Sequence, residues 1–443
     1  MTLRDTPVGF VSTRSPTAQP VSFEQAMLRG LAPDGGLYLP TALPEVRGEE
    51  WLSANSPAEV AAAVLPSLVG LGRDEVHEVF ADAIDFPVPV VELPRSRFVL
   101  ELFHGPTAAF KDVGARSMAR LMDRVLARSG RRVTILVATS GDTGGAVADA
   151  FAGSVHASVA VLYPAGRISD VQERQLVAKR PGVTTFAVDG SFDDCQRLVK
   201  EAFADPDLAR SGLSTANSIN VARLLPQIVY YLWAERRLVD LTGERRPFTV
   251  VVPSGNLGNL TAGVMATRLG LSAATLVAAH NANDYLVRYL DGRSGAFEFS
   301  ASVETLSNAM DVGAPSNFER LNALAGSGSG PVVRALAVDD DATTARMAAS
   351  VREDGYLPCP HTAVGLEVVE RWRARVGGDR EEPVLALATA HPAKFPDVVR
   401  LAIGSEPPEH VGLAALERAE RAVVPLESSL AALRSALLDL ASA

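Results

Sequence analysis

Residues 133–147 read VTILVATSGDTGGAV. The run 133–138 is apolar nearly throughout, with no alternation, so a strand here has both faces covered. A glycine-rich turn follows at once, and the pattern then becomes that of a helix from Gly144. A doubly buried strand that passes through a glycine turn into a helix is half of a parallel α/β unit.

The same scheme extends in both directions. Upstream, 98–102 is a short apolar strand, and Met118, Leu121, Met122 and Val125 then mark one buried helix face that Gly130 terminates. Downstream, 158–163 and 183–188 are further strands with helices between. A long helix is expected over 221–238, kinked at Pro226, and 242–247 is the best linker in the chain. A second series follows: strand 248–252, a helix from Leu260, strand 275–279, helices 342–354 and 363–375, and strand 384–388. Before both series lies a mixed segment with a short helix 23–30 ending at glycine, a turn 33–36 and a short strand 37–39. The stretch 325–330, of Ala, Gly and Ser, reads as a surface loop, and 413–443 as a leucine- and alanine-rich helix. The expected architecture is α/β, with two doubly wound parallel or mixed sheets. The boundaries are an N-terminal α+β module over 1–95, α/β domains over 96–240 and 247–405, and a helical tail over 406–443.

Composition limits the function. A chain of 443 residues, 47% hydrophobic and 21% charged, folds as several packed domains. A net charge of -10 argues against nonspecific binding to nucleic acid or an anionic membrane but does not exclude an anionic small-molecule substrate, because local cationic groups can override it. Cys195 and Cys359, the only cysteines, have no metal-ligand spacing and suit a reducing compartment. Residues 1–20 are polar without an apolar signal core, and no apolar run approaches the roughly 20 residues of a membrane helix, so a cytoplasmic location is expected. Nothing in the sequence decides between a monomer and a homo-oligomer.

Three segments carry chemistry. The turn Ser140, Gly141, Asp142, Thr143 offers backbone N–H groups at a helix start, which suits an anion. PSGNLGN at 253–259 repeats that arrangement, with glycines that let a phosphate approach the backbone. Neither has the spacing of a nucleotide or dinucleotide loop, and each alone is equally an ordinary βα turn. In FHGPTAAFKD at 103–112, Lys111 stands at a loop-to-helix junction among aromatic and small residues. It is either a solvated surface lysine or one in an apolar pocket, where a lowered pKa allows Schiff-base chemistry.

Taken together, the three segments resemble the fold-type-II pyridoxal-phosphate enzymes, and among these the threonine synthases with an extended N-terminal module. The likeness runs through GLAPDGGLY at 30–38, FHGPTAAFKD, ATSGDTGGAVADAF at 138–151, NSINVAR at 217–223, PSGNLGN, LSNAMDV at 306–312 and ATAHPAKF at 388–395. It implies pyridoxal 5'-phosphate as cofactor, with Lys111 as the catalytic Schiff-base residue. It also implies a phosphate cup of Ser254, Gly255, Asn256, Leu257, Gly258 and Asn259, and Thr389 on the pyridine nitrogen. Ser140, Gly141, Asp142, Thr143, Asn220, Arg223 and Lys394 are the implied substrate contacts, with His104 and His391 open between catalytic and structural roles. The implied reaction turns O-phospho-L-homoserine and water into L-threonine and phosphate. The alternatives are a related lyase such as a dehydratase, or an inert relative that binds a phosphorylated ligand. Two departures stand out: Leu257 where the cup usually has an aromatic residue, and Tyr285 where a smaller residue is expected, which bears on the shape of the active site.

Overall fold

The computed structural model describes the whole chain except residues 1–6, 45–46, 140, 167, 169, 211, 326–330, 377–381 and 443. Most of loop 325–330 therefore lies outside the described residues. Two sheets organise the rest. The smaller has the order Val424–Leu426, Val183–Val188, Ala157–Pro164, Val133–Ala138, Leu213–Ser214, all parallel. The larger has the order Val332–Ala337, Ala273–His280, Phe248–Pro253, Val384–Ala388, Arg97–Glu101, Val90–Leu93, parallel except for the final hairpin.

All six residues of Val133–Ala138 are buried, as are all six of Phe248–Pro253, which is why neither strand alternates. Leu198, Leu433 and Leu437 cover one face of the smaller sheet, clustering with Leu136 and Leu162 of its strands. Its other face joins a core that runs without interruption from the N-terminal module, through Met118, Leu121 and Met122, to Val250 and Leu385 of the larger sheet. In the N-terminal module, helix Phe23–Arg29 is closed at both ends by local sequence. Ser22 and Gln25 form a reciprocal capping box, and Gly30 takes φ +73° at the other end.

Three expectations change. Arg97–Glu101, placed with the first α/β series, pairs with Val384–Ala388 of the larger sheet, so the boundary at 96 does not follow the sheets. The tail is not one helix: Val411–Leu416 and Leu430–Ser442 flank strand Val424–Leu426, which extends the smaller sheet beside Val183–Val188. Pro226, which has no N–H to give, separates Val221–Leu224 from Gln227–Thr242. The loops that matter leave the carboxyl ends of Arg97–Glu101, Val133–Ala138, Phe248–Pro253 and Val384–Ala388, where open α/β sheets place their ligands.

Candidate active site

Lys111 opens helix Lys111–Ser129 at the end of a pinned loop. Phe110 N donates to Thr389 O at 2.8 Å and His391 N to Ala108 O at 3.0 Å, so the loops from two neighbouring strands are laced together. Ala108 has φ +57°, an unusual conformation for a residue with a side chain. Asp112 folds back on the same loop. It accepts from Thr107 N at 2.9 Å and from the Thr107 hydroxyl, and its burial pushes the carboxyl up to about 6.

Three other charged side chains face Lys111. Its Nζ lies 3.9 Å from Asp142 Oδ2, and Lys394 Nζ lies 2.9 Å from Asp142 Oδ1. Lys394 also donates to Thr107 O at 3.0 Å, and its side chain has no exposed surface. Arg223, 4% exposed, donates from Nη1 to Ala216 O at 2.5 Å, while its Nε is buried without a partner among the described residues. Burial lowers the Lys111 ammonium; Asp142 opposes this, Lys394 and Arg223 add to it, and the net result is about 8. Burial alone would raise Asp142, but Lys394 and then Lys111 hold its carboxyl well below the usual range. Arg223 is drawn down to about 10, chiefly by burial.

The two glycine turns differ inside. Gly141, at φ +139°, lies so close to Gln172 that a Cβ would sit 2.6 Å from its amide carbon. Thr139 Oγ1 accepts from both Gly141 N and Gly144 N at 2.9 Å, leaving the N–H groups of Asp142 and Thr143 without a backbone acceptor among the described residues. Ser140 lies outside the described residues. At 254–259, Ser254 binds back to the sheet through its N–H and hydroxyl. The N–H groups of Gly255, Asn256, Leu257, Gly258 and Asn259 find no backbone acceptor among the described residues. Leu257 takes φ +60° at the start of helix Gly258–Arg268, aiming those groups outward from a helix N-terminus. A Cβ on Gly258 would come 3.3 Å from Asn317 Nδ2, and one on Gly255 2.9 Å from Met310 Cα. The Asn256 amide bridges Ser218 and Ser316 N, and Asn259 Oδ1 accepts from Tyr230 and Tyr231, each at 2.7 Å.

Not every candidate points at this centre. Asn220 is the N-cap of Val221–Leu224; its Oδ1 accepts from Ala222 N and its Nδ2 donates to Met27 O and Thr215 O, both at 2.8 Å. Its amide is thus occupied by backbone, and it ties the N-terminal module to the loop before Arg223. His391 accepts from Ala393 N and, pushed down to about 4 by burial and the neighbouring His410 and His104, is neutral; His104 pairs with Glu101 at 2.7 Å. Tyr285 packs its ring against Phe299 and Phe318 and accepts from Phe297 N. The Thr389 hydroxyl has no hydrogen-bond partner among the described residues, and the residue is 7% exposed.

Sequence reasoning missed two residues. His361, 2% exposed, accepts from Ala309 N at 3.0 Å and is close enough to Asp142, Lys111 and Lys394 to feel their charges. Arg320 is fully buried; it donates to Tyr38 O, to Asn317 Oδ1 at 2.7 Å and to Ile219 O at 2.6 Å. The sequence reading placed no helix over Phe318–Ala325, so nothing drew notice to Arg320, and His361 has no signature in its neighbours.

A largely shielded, readily deprotonated lysine at the same sheet edge as a cup of N–H groups without backbone acceptors among the described residues fits an aldehyde cofactor with a phosphate tail. The sequence model of the family described as pyridoxal-phosphate dependent enzyme matches residues 84–390. With the two-sheet fold, it places the chain among the fold-type-II enzymes that use pyridoxal 5'-phosphate. Models described as threonine synthase N terminus and threonine synthase, C-terminal, match 9–84 and 362–437. The chain is 41% identical to the threonine synthase of Escherichia coli over 95% of its own length and 97% of that protein, and 33% identical to that of Corynebacterium glutamicum over 97% and 98%. The structure of pyridoxal-phosphate-bound threonine synthase from Brucella melitensis is similar with a TM-score of 0.87 at 38% identity, covering 98% of this chain and 100% of that one. The yeast threonine synthase structure gives 0.88 at 30% identity, covering 99% of each. The chain belongs to the threonine synthase family.

Proposed function

We propose that the chain converts O-phospho-L-homoserine and water into L-threonine and phosphate, with Lys111 as the residue that carries the cofactor and moves the protons. The observation that carries this reading is the Lys111 amine, lowered to about 8, 3.9 Å from Asp142, and at the same carboxyl edge of the larger sheet as the cup at 255–259. The N–H groups of residues 255–259 would hold the cofactor phosphate, and the Thr389 hydroxyl would face its ring nitrogen. Bound pyridoxal 5'-phosphate supplies an electron sink for the charge left when a proton leaves carbon.

The chain's own groups do the rest. Lys111, unprotonated once released, takes the Cα proton, a task suited to a base whose pKa lies near the working pH. Arg223, with its unpartnered Nε, meets the substrate phosphate as charge builds on the leaving group. The N–H groups of Asp142 and Thr143 receive the substrate carboxylate. The interrupted contact with water around Lys394, Asp142 and His361 keeps these interactions strong. A hydroxyl at Thr389, unlike a carboxylate, does not favour a protonated ring. A cytoplasmic location fits two free, buried cysteines, and no described helix is long and apolar enough to cross a membrane.

The test is phosphate release from O-phosphohomoserine with product identification. Threonine and phosphate in equal amounts are expected; phosphate without threonine would sink the reading.

A further inference from the structure

Asp142 is shared unequally. Its Oδ1 is 2.9 Å from Lys394 Nζ, whereas its Oδ2 is 3.9 Å from Lys111 Nζ. The nearer lysine has nowhere else to go: its ammonium has no exposed surface and is fixed by Asp142 and Thr107 O. Thr107 is itself held by Asp112, and its carbonyl also accepts from Gln175 Nε2 at 3.0 Å. Lys394 is thus locked into a loop that also contains the Lys111 backbone. Phe110 N to Thr389 O and His391 N to Ala108 O bind the two loops at fixed separation.

We propose that Lys394 is a positioning residue: by engaging Asp142 in an ion pair of its own, it denies Lys111 a full counter-ion and keeps the Lys111 amine free to react. This rests on Lys111 being the cofactor lysine. Condensation of an amine with an aldehyde forms the C=N bond and expels the aldehyde oxygen as water, and only the unprotonated amine can attack. A buried lysine facing one carboxylate would ordinarily be held as the ammonium by it. Here the groups facing Lys111 are Asp142 on one helix, Arg223 on a second, Lys394 on the loop after Val384–Ala388 and His361 on a third helix. His361 is pushed down to about 4 by burial and is neutral, so one anion stands against two fixed cations. The role also gives a reason for an ammonium with no exposed surface at 394, two of whose three N–H donors are spent on Asp142 and Thr107 O.

The test uses apoenzyme and follows pyridoxal 5'-phosphate capture by its absorption change across pH, a readout independent of turnover. In wild type the capture rate rises through a midpoint near 8. Lys394→Met leaves Asp142 to Lys111 alone, and the midpoint moves up by about 1 to 3 pH units, the range expected for a change of one close charge. Lys394→Arg keeps the charge and returns the midpoint to within about half a unit of wild type. Asp142→Asn, which removes the anion, moves the midpoint down. Borohydride reduction with peptide mapping locates the adduct in each variant; an adduct off Lys111 would mean that the cofactor lysine itself is wrong, a separate failure. A midpoint unchanged in Lys394→Met, with KM for O-phosphohomoserine raised instead, overturns the proposal and makes Lys394 a substrate ligand. If Lys394→Met is too unstable to purify, Lys394→Gln, neutral yet able to hydrogen-bond Asp142 and Thr107 O, is read in its place and moves the midpoint up, opposite to Asp142→Asn. No downward shift in Asp142→Asn overturns the proposal equally.

Discussion

The turns at 139–145 and 253–259 begin alike, each a Ser-Gly pair after a fully buried parallel strand and before a helix, yet they are built for different tasks. In the first, Thr139 consumes the N–H groups of Gly141 and Gly144, leaves those of Asp142 and Thr143 open, and the turn adds a carboxylate, Asp142, set between two lysines. In the second, the side chain of Asn256 is tied to neighbouring loops and that of Asn259 to helix Gln227–Thr242, and the backbone N–H groups are left open. One wall joins two open amides to a titratable side chain; the other acts through fixed dipoles alone. A glycine-rich βα turn therefore specifies a place where backbone comes close; what approaches it depends on whether a side chain has already taken the amides.

The contrast can be broken at either wall. The largest effect is expected from Lys111→Ala: turnover falls by at least about 10³-fold, the scale of a lost general base, while the thermal unfolding midpoint stays within a few degrees. A variant that turns over at a tenth of the wild-type rate would remove Lys111 from the chemistry. At the dipolar wall, Gly258→Val sets a side chain against Asn317 and displaces a phosphate from the N–H groups. Cofactor affinity drops about 10- to 100-fold, the range of one or two lost charge-assisted hydrogen bonds, and far-UV circular dichroism is unchanged. Equal titration curves for the mutant and wild type would mean the cup lies elsewhere. Arg223→Leu separates substrate from cofactor: KM for O-phosphohomoserine rises about 10-fold or more with cofactor occupancy near wild type. Wild-type KM would move the phosphate site. The smallest catalytic effect belongs to Asn220→Ala. Its amide is spent on backbone, so stability falls by about 1 to 3 kcal/mol in urea titration while KM barely moves. A large KM change with unchanged stability would restore Asn220 as a substrate contact.

How much of this was legible before the structure depends on the kind of signal. Val133–Ala138 and Phe248–Pro253 declare themselves because burial on both faces removes polar positions. Lys111 and the cup were found because loops next to chemistry carry unusual strings. Arg97–Glu101 was assigned to the wrong sheet because its partner, Val384–Ala388, lies far along the chain and leaves no local trace. Strand Val424–Leu426 was hidden in a leucine- and alanine-rich tail: three residues are too few for a period to show. Asn220 looked like a ligand because an asparagine beside a motif is equally a helix cap, and only the positions of Met27 O and Thr215 O separate the two. Tyr285 was read as a perturbation of the active site, but its ring belongs to an aromatic cluster with Phe299 and Phe318.

Strand order has a consequence for how the chain is made. In the larger sheet Val384–Ala388 lies between Phe248–Pro253 and Arg97–Glu101, so the two earlier strands have no common neighbour until the ribosome has passed residue 388. Until then Arg97–Glu101 has only the Val90–Leu93 hairpin on one side and an open hydrogen-bonding edge on the other. The loop that carries Lys111 is likewise unpinned, because Thr389 O and His391 N arrive with the same segment. The reactive lysine thus acquires its surroundings only once residues 384–391 have been made, and a nascent chain stalled before residue 384 exposes both an unpaired strand and an unfinished site to chaperones.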